Sequence, residues 1–377
     1  MNPPVFFPHP TFCSPTSGKS LLIPSAVPKN DPGEALPDIA KTLRANDVRA
    51  ILLVHGTFAG NDIFGLVREV TRLSPRLAGK MREIGKRWFD DLAGEVGNFS
   101  ESYAEQLGRL VNPTSAPPIA IERFSWSGEN HHLGRADGAM RLINRVGEFS
   151  SSGRVLIMAH SHGGNLVAML SQLIGSDAAT QHAFFQQTRL HYRLPVSGRI
   201  DLPSWSEAQQ RIKQPLAKLD VVTMGTPLRY GWNVNAVEHL MHFVHHRPQC
   251  EDDPTRAEFP DTVNELVMAA GGDYVQHLGI AGTDFLPSVF AWRDWLVERR
   301  MRKMFESKVR RRDLLKNLKR GRRVSDAGMT LLVDYADGDR ETGLSRKLLG
   351  HGVYTCSPWL VFHLQQIVDH FYRDVTS

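Results

Sequence analysis

The stretch RVLIMAHSHGGNLVAML, residues 154–170, organises the interpretation of the whole chain. It begins with an apolar run, residues 155–159, which predicts a buried β-strand. It ends in a helical pattern whose apolar face contains Leu166, Val167 and Leu170. The segment between them, residues 160–164, contains small residues and predicts a sharp turn with Ser161 at its tip.

Small residues flank Ser161 at the two positions where strand and helix must nearly touch. Ala159 and Gly163 give the pattern Ala-x-Ser-x-Gly, and a strand, such a turn and a helix together have the geometry of a nucleophile elbow. In that turn the serine hydroxyl is pushed clear of the backbone. The stretch resembles the elbow of the α/β-hydrolase family, whose bacterial lipases include the same alanine variant.

A second motif supports this resemblance. Residues 50–54 form an apolar run, as expected for a central parallel strand, and His55-Gly56-Thr57 follows directly. In α/β hydrolases a loop of this kind supplies one backbone N–H of the oxyanion hole, and the residue after the nucleophile supplies the other. The resemblance implies that the two donors are the amides of Thr57 and His162.

The remaining patterns predict the fold class. Strand patterns at residues 117–128, 221–224, 278–281 and 329–339 alternate with helical patterns, which predicts an α/β protein with a mostly parallel sheet flanked by helices. The resemblance implies the α/β-hydrolase fold. We expect a proline-rich N-terminal extension at residues 1–45, with a strand at residues 21–23, and a hydrolase domain at residues 46–377. We expect lid-like insertions at residues 175–217, 232–272 and 288–328.

The same resemblance directs the choice of a base and an acid. A serine hydroxyl needs a base to take its proton and a carboxylate to orient that base, and in this family the chain order is serine, acid, histidine. His351 lies between two glycines after the last predicted strand, where the family carries its base. The family's acid follows the penultimate strand, which our strand count places at Asp284. Asp337, just past the last strand, is the alternative acid.

The implied function is that of a serine ester hydrolase of lipase or phospholipase type, acting through an acyl-serine. Acyl transfer to an alcohol, thioester hydrolysis, or a binding protein that kept the fold without the chemistry are the alternatives. The motifs VHGT, AHSHGGN, MGTP and GHGVY are similar to those of bacterial lipase-like hydrolases. Some relatives of these enzymes are antibacterial phospholipase effectors that are exported without a signal peptide.

Charge is distributed unevenly along the chain. The formal net charge is +5, but residues 299–323 hold 13 Lys and Arg against 2 acids, so this segment makes the protein basic. The segment is either a solvated helix face or, with the apolar residues that begin at Trp292, a surface for anionic membranes. No nucleic-acid recognition motif accompanies it, so nucleic acid is not an expected partner. The expected partner is an ester or lipid substrate.

No metal or cofactor is expected. His239, His242, His245 and His246 lie close together, but the segment suits a strand and has no H-E-x-x-H order. The three cysteines are sparse and far apart, which indicates a reducing compartment. The N-terminus lacks the pattern of a secretory signal, and no apolar run is long enough to cross a bilayer. We therefore expect a cytoplasmic protein or an effector exported without a signal.

Overall fold

Seven parallel strands form the central sheet, in the order β1-β7-β6-β5-β4-β2-β3. The structure is a computed structural model that describes residue 7 and residues 18–28, 35–57, 98–113, 117–149, 151–192, 202–249, 252–280, 292–306, 321–335 and 350–373. The strands are β1 (Lys19–Ala26), β2 (Val48–Val54), β3 (Ala120–Phe124), β4 (Arg154–His160), β5 (Lys218–Met224), β6 (His239–His245) and β7 (Met329–Tyr335).

The helices confirm the predicted α/β class. Within the described residues they are α1 (Ala35–Ala45), α2 (Glu101–Val111), α3 (His132–Val146), α4 (His162–Ile174), α5 (Ala178–Tyr192), α6 (Pro203–Arg211), α7 (Val263–Val267), α8 (Tyr274–Gly279), α9 (Trp292–Glu306) and α10 (Leu360–Phe371). Across the ranges that the structure describes, every helix is too short or too polar to cross a membrane.

Both faces of the sheet are covered, which explains the continuous apolar runs of the central strands. Successive residues of a strand point to opposite faces. Ile51 and Leu156 therefore belong to one core, together with buried side chains of α1, α2 and α10. Leu52 and Ile157 belong to the other, together with buried side chains of α3, α4, α5, α6 and α9. A strand with both faces buried carries apolar side chains at successive positions, instead of alternating apolar and polar ones.

The first part of the predicted N-terminal extension belongs to the sheet. Strand β1 pairs with β7 in parallel, with Leu21 opposite Leu331 and Ile23 opposite Val333. Helix α1 then packs against α2 and α10. Residues 19–26 therefore form an edge strand of the sheet, and residues 35–45 form part of one outer layer.

The described parts of the predicted insertions are built into the domain. Residues 232–272 contain β6, which lies between β5 and β7, and this corrects the extent of that insertion. Helices α5 and α6, from residues 175–217, bury Phe184 and Trp205 in the core. Helix α9, from residues 288–328, packs against α3 and α5. These helices form a fixed layer over one face of the sheet.

Candidate active site

Ser161 occupies the turn between β4 and α4 in a strained backbone conformation. Its φ of 54° and ψ of −132° lie in a region that residues other than glycine rarely adopt. Two bonds hold the turn: the Ser161 N–H donates to the Met224 carbonyl (2.9 Å), and the Thr226 hydroxyl donates to the Ser161 carbonyl (2.9 Å). Among the described residues the Ser161 hydroxyl, which is buried, has no hydrogen-bond partner. The strained turn therefore presents a hydroxyl that no described neighbour engages.

The close approach of strands β2 and β4 to helix α4 requires glycine at two positions. A Cβ added at Gly163 would lie 2.5 Å from the His55 carbonyl oxygen. A Cβ added at Gly56 would lie 2.6 Å from the Ser161 Cβ. The loop after β2 therefore lies directly against the elbow, as the two sequence motifs predicted.

The loop that carries Thr57 is fixed by an aromatic residue beyond β3. The Trp126 indole N–H donates to the His55 carbonyl (2.9 Å), and the Trp126 backbone N–H donates to His55 Nε2 (3.3 Å). His55 Nδ1–H donates in turn to the Gly56 carbonyl (2.7 Å). Burial lowers the pKa of His55, an effect partly opposed by these backbone bonds, so the ring is neutral at pH 7.

The two predicted oxyanion donors lie on either side of the elbow. Thr57 and His162 are 3% and 4% exposed. His162 is the first residue of α4, where backbone N–H groups have no carbonyl partner within the helix. The positive end of the helix dipole makes this position favourable for an anion. Thr57 and His162 are thus brought to the same end of the sheet as Ser161.

His351 forms a buried pair with Asp273. His351 Nδ1 lies 2.7 Å from Asp273 Oδ2, and both side chains are fully buried. An ionised carboxylate can only accept, so Nδ1 carries a proton, and in a neutral ring Nε2 would then carry the lone pair. That tautomer is the one a general base needs.

Asp273 is held by donors from three directions. Its Oδ2 also accepts from the Tyr354 hydroxyl (2.9 Å), and its Oδ1 accepts from the Gln276 backbone N–H (2.8 Å), where Asp273 caps α8. Burial raises the pKa of the Asp273 carboxyl, but His351, the Gln276 bond and the Arg323 guanidinium together bring it below its usual value. Asp273 is therefore an ionised carboxylate at neutral pH.

Ser161 and the His351–Asp273 pair both adjoin the turn that follows β5. The Met224 carbonyl binds the Ser161 N–H, and a Cβ added at the next residue, Gly225, would lie 3.0 Å from His351 Cε1. His160, the residue before Ser161, packs its ring on that of His351, with centroids 4.5 Å apart. His351 therefore lies beside the turn that carries Ser161.

A chain of hydrogen bonds also links the nucleophile turn to the helix of the acid. Thr226 donates to the Ser161 carbonyl through its hydroxyl and accepts from the Gln276 side chain (3.3 Å) through its carbonyl. The Gln276 N–H binds Asp273. The turn that carries the nucleophile and the cap that carries the acid are thus joined through two intermediate residues.

Asp273 is the buried carboxylate that pairs with His351, and sequence reasoning did not single it out. The two predicted acids, Asp284 and Asp337, lie outside the described residues. The predicted strand at residues 278–281 is wrong over its described part, because residues 274–279 form α8. The penultimate strand of the sheet is β6, and Asp273 is the acid that follows it. A Gly-Gly-Asp turn at residues 271–273 with a helix directly after it was the available signal.

The histidine-rich segment is a strand, and its imidazole rings make hydrogen bonds within the protein. His239 binds Asp220 (2.7 Å), His242 binds the Thr223 hydroxyl (2.7 Å), and His245 binds the Gly350 carbonyl (3.0 Å). Within the described ranges, no group of three or more His, Cys, Asp or Glu side chains could hold a metal ion. These imidazoles instead satisfy buried polar groups.

Helix α9, which carries the described start of the basic segment, has a buried side and an exposed side. On α9, Met301, Met304 and Phe305 are buried in the core, while Trp292 is 56% exposed. Four described positions on the exposed face of α9 carry cations: Arg299, Arg300, Arg302 and Lys303. The helix therefore separates apolar from basic residues, but its apolar side faces the protein.

Comparison of the chain with protein-family models, with curated proteins and with solved structures finds no match.

Proposed function

We propose that this protein is a serine ester hydrolase of lipase or phospholipase type with an α/β-hydrolase fold. The observation that carries the proposal is the strained Ser161 at a strand–helix turn, beside the buried His351–Asp273 pair. A residue held at an unfavourable φ indicates a function that the strain serves. A buried carboxylate that fixes a histidine tautomer is what a serine nucleophile requires.

The topology supports the same proposal. Ser161, Asp273 and His351 follow β4, β6 and β7 in turn, so the chain order is serine, acid, histidine. The acid follows the penultimate strand of the chain and the base follows the last one. Both positions are those that the resemblance to α/β hydrolases implies.

The proposed reaction is acyl transfer to Ser161. The hydroxyl oxygen attacks the ester carbonyl while His351 Nε2 takes its proton, and the amides of Thr57 and His162 bind the resulting oxyanion. The imidazolium then gives that proton to the departing alkoxide, which leaves an acyl-serine. Water attacks the acyl carbon, again losing a proton to His351, and the acid is released as the proton returns to Ser161.

The test is ester hydrolysis and labelling by a fluorophosphonate probe. Ser161→Ala should lower kcat by at least about 10⁴-fold and abolish labelling, while the circular dichroism spectrum stays unchanged. The matched control is Ser171→Ala, a second buried serine on α4 whose hydroxyl donates only to the Ala168 carbonyl. A folded wild-type protein that neither turns over esters nor reacts with the probe would show a binding protein instead.

The same assays separate acyl transfer from hydrolysis. A panel of short esters, thioesters and phospholipids, with and without an added alcohol, measures which acyl acceptor the enzyme prefers. Release of free acid with esters is the expected result. Faster formation of the new ester than of the acid would make the protein an acyltransferase.

We also propose an anionic membrane as a partner of the exposed face of α9. Because three of its apolar residues are buried, the helix binds through its charges and Trp292 rather than by inserting an apolar face. Arg299→Glu with Arg302→Glu should abolish flotation with phosphatidylserine vesicles at low salt. Arg109→Glu, on α2 across the sheet, is the control. Equal binding of the wild type to neutral vesicles would contradict the proposal.

A further inference from the structure

The end of strand β6 does not by itself position Asp273, the acid of the proposed triad. Strand β6 ends at His245, and Asp273 follows only after the connection of residues 246–272. A carboxylate at the end of a long connection needs contacts that return it to the strand. One such contact is the bond from the Asp273 N–H to the His245 carbonyl (2.9 Å).

The other contacts come from a residue of the basic segment. Arg323 is the last residue of the basic segment 299–323, and it is only 1% exposed. One terminal nitrogen of its guanidinium donates to the His245 carbonyl, and the other donates to the Asp273 carbonyl (3.1 Å). A single planar side chain therefore ties the end of the strand to the acid.

The surroundings of Arg323 are shaped for this position. Gly272, with φ of +93°, leaves space that a Cβ would fill, since that atom would lie 2.8 Å from an Arg323 terminal nitrogen. The Tyr274 ring centre lies 6.0 Å from the guanidinium carbon, within reach of a cation–π contact. The guanidinium charge also contributes to keeping Asp273 ionised. Burying a charge is costly unless other groups compensate it. Here the two carbonyls accept hydrogen bonds from the guanidinium, and the nearby Asp273 carboxylate favours its charged form.

We propose that Arg323 is a positioning residue of the triad, which holds Asp273 against the end of β6 so that its carboxylate meets His351 Nδ1. Arg323 acts through Asp273 and does not touch the substrate. The inference rests on the proposed function for its effect on rate, but the geometry that it fixes exists without any substrate.

The kinetic test compares three variants in ester hydrolysis. Arg323→Ala should lower kcat by about 100-fold with little change in KM, because a misplaced base slows the chemical step rather than binding. Added guanidinium ion should restore part of that rate, and sodium at equal ionic strength should not. Arg323→Lys, which keeps the charge but not the planar fork, should fall between Arg323→Ala and the wild type. Arg154→Ala removes an arginine paired with Asp220 at the other end of the sheet and should keep kcat.

A second measurement needs no substrate. In the wild type the proton between His351 Nδ1 and Asp273 should give a far-downfield NMR signal, which Arg323→Ala should shift or remove and Arg154→Ala should keep. Wild-type kcat in folded Arg323→Ala, or in Arg323→Lys if the alanine variant does not fold, would overturn the inference. A normal NMR signal in either variant would do the same. An inactive wild type that shows this signal would contradict the proposed function alone.

Discussion

The proposed nucleophile and the proposed acid of this site are placed in two different ways. Ser161 lies between a strand and a helix that adjoin it in sequence, so residues 154–174 form a recognisable motif around it. Bonds to Met224 and Thr226 then hold that turn. Asp273 is positioned by His245, Arg323, Tyr354 and His351, which are distant in sequence. A residue fixed by its own neighbours can be recognised from a short motif. A residue fixed by distant contacts cannot be recognised until the topology is known.

Replacing the acid is the strongest way to break this comparison. Asp273→Asn should lower kcat by about 10⁴-fold, because an amide can donate to His351 and stabilise the wrong tautomer. Asp284→Asn and Asp337→Asn, at the two acids that the sequence favoured, should keep wild-type kcat in the same ester assay. Loss of activity in either of them, with activity kept in Asp273→Asn, would restore the sequence-based choice.

Adding a methyl group at the turn that carries Ser161 tests the other half of the comparison. Gly163→Ala places a methyl group 2.5 Å from the His55 carbonyl oxygen, so strand and helix must separate. A shift of about 1 Å at the nucleophile should cost about 10²-fold in kcat. Gly108→Ala, on α2, meets only an Ile121 side-chain carbon at 3.8 Å and serves as the neutral control. Equal rates in the two variants would show that the elbow tolerates movement.

Lowering the pH should have a smaller effect, on the free energy of unfolding, through the buried histidines on and beside β6. Burial lowers the pKa of His242 and His245 to about 4 and that of His246 to about 3. Each ring is neutral in the folded protein, so its stabilising contribution is complete above pH 6.5 and is lost as pH falls from there towards 4. The expected loss in unfolding free energy is about 1 kcal/mol per pH unit for each ring.

Chemical denaturation between pH 7 and pH 5 measures this loss. His246→Gln should reduce the dependence on pH, because glutamine keeps a polar side chain without titrating. His182→Gln, at an exposed position of α5, should leave the dependence unchanged. A wild-type stability that is constant over this range would show that these rings do not titrate on unfolding.

The sequence was sufficient where periodicity and local motifs determine the structure. The buried runs at residues 50–54 and 155–159 predicted β2 and β4, and the turns after them placed Thr57, Ser161 and His162 together. It was insufficient at β6, a segment that suited a strand but was assigned to an insertion, because histidines occupy buried positions that usually carry aliphatic side chains in a central strand. Those histidines are buried because each finds a hydrogen-bond partner on another element, such as Thr223 or Gly350. Pairings of this kind are absent from any local pattern.

The inward side of α9 has a practical consequence for altering the protein's charge. Deleting residues 299–323 would leave 32 Lys and Arg against 38 acids and so reverse the formal net charge from +5 to −6, but it would also remove Met301, Met304 and Phe305 from the core. A truncated form should therefore misfold during expression, which would disguise any effect on localisation or adsorption. Replacing exposed cations on the outer side of the helix instead changes the net charge, and with it the retention on an ion-exchange resin, while the interior stays intact.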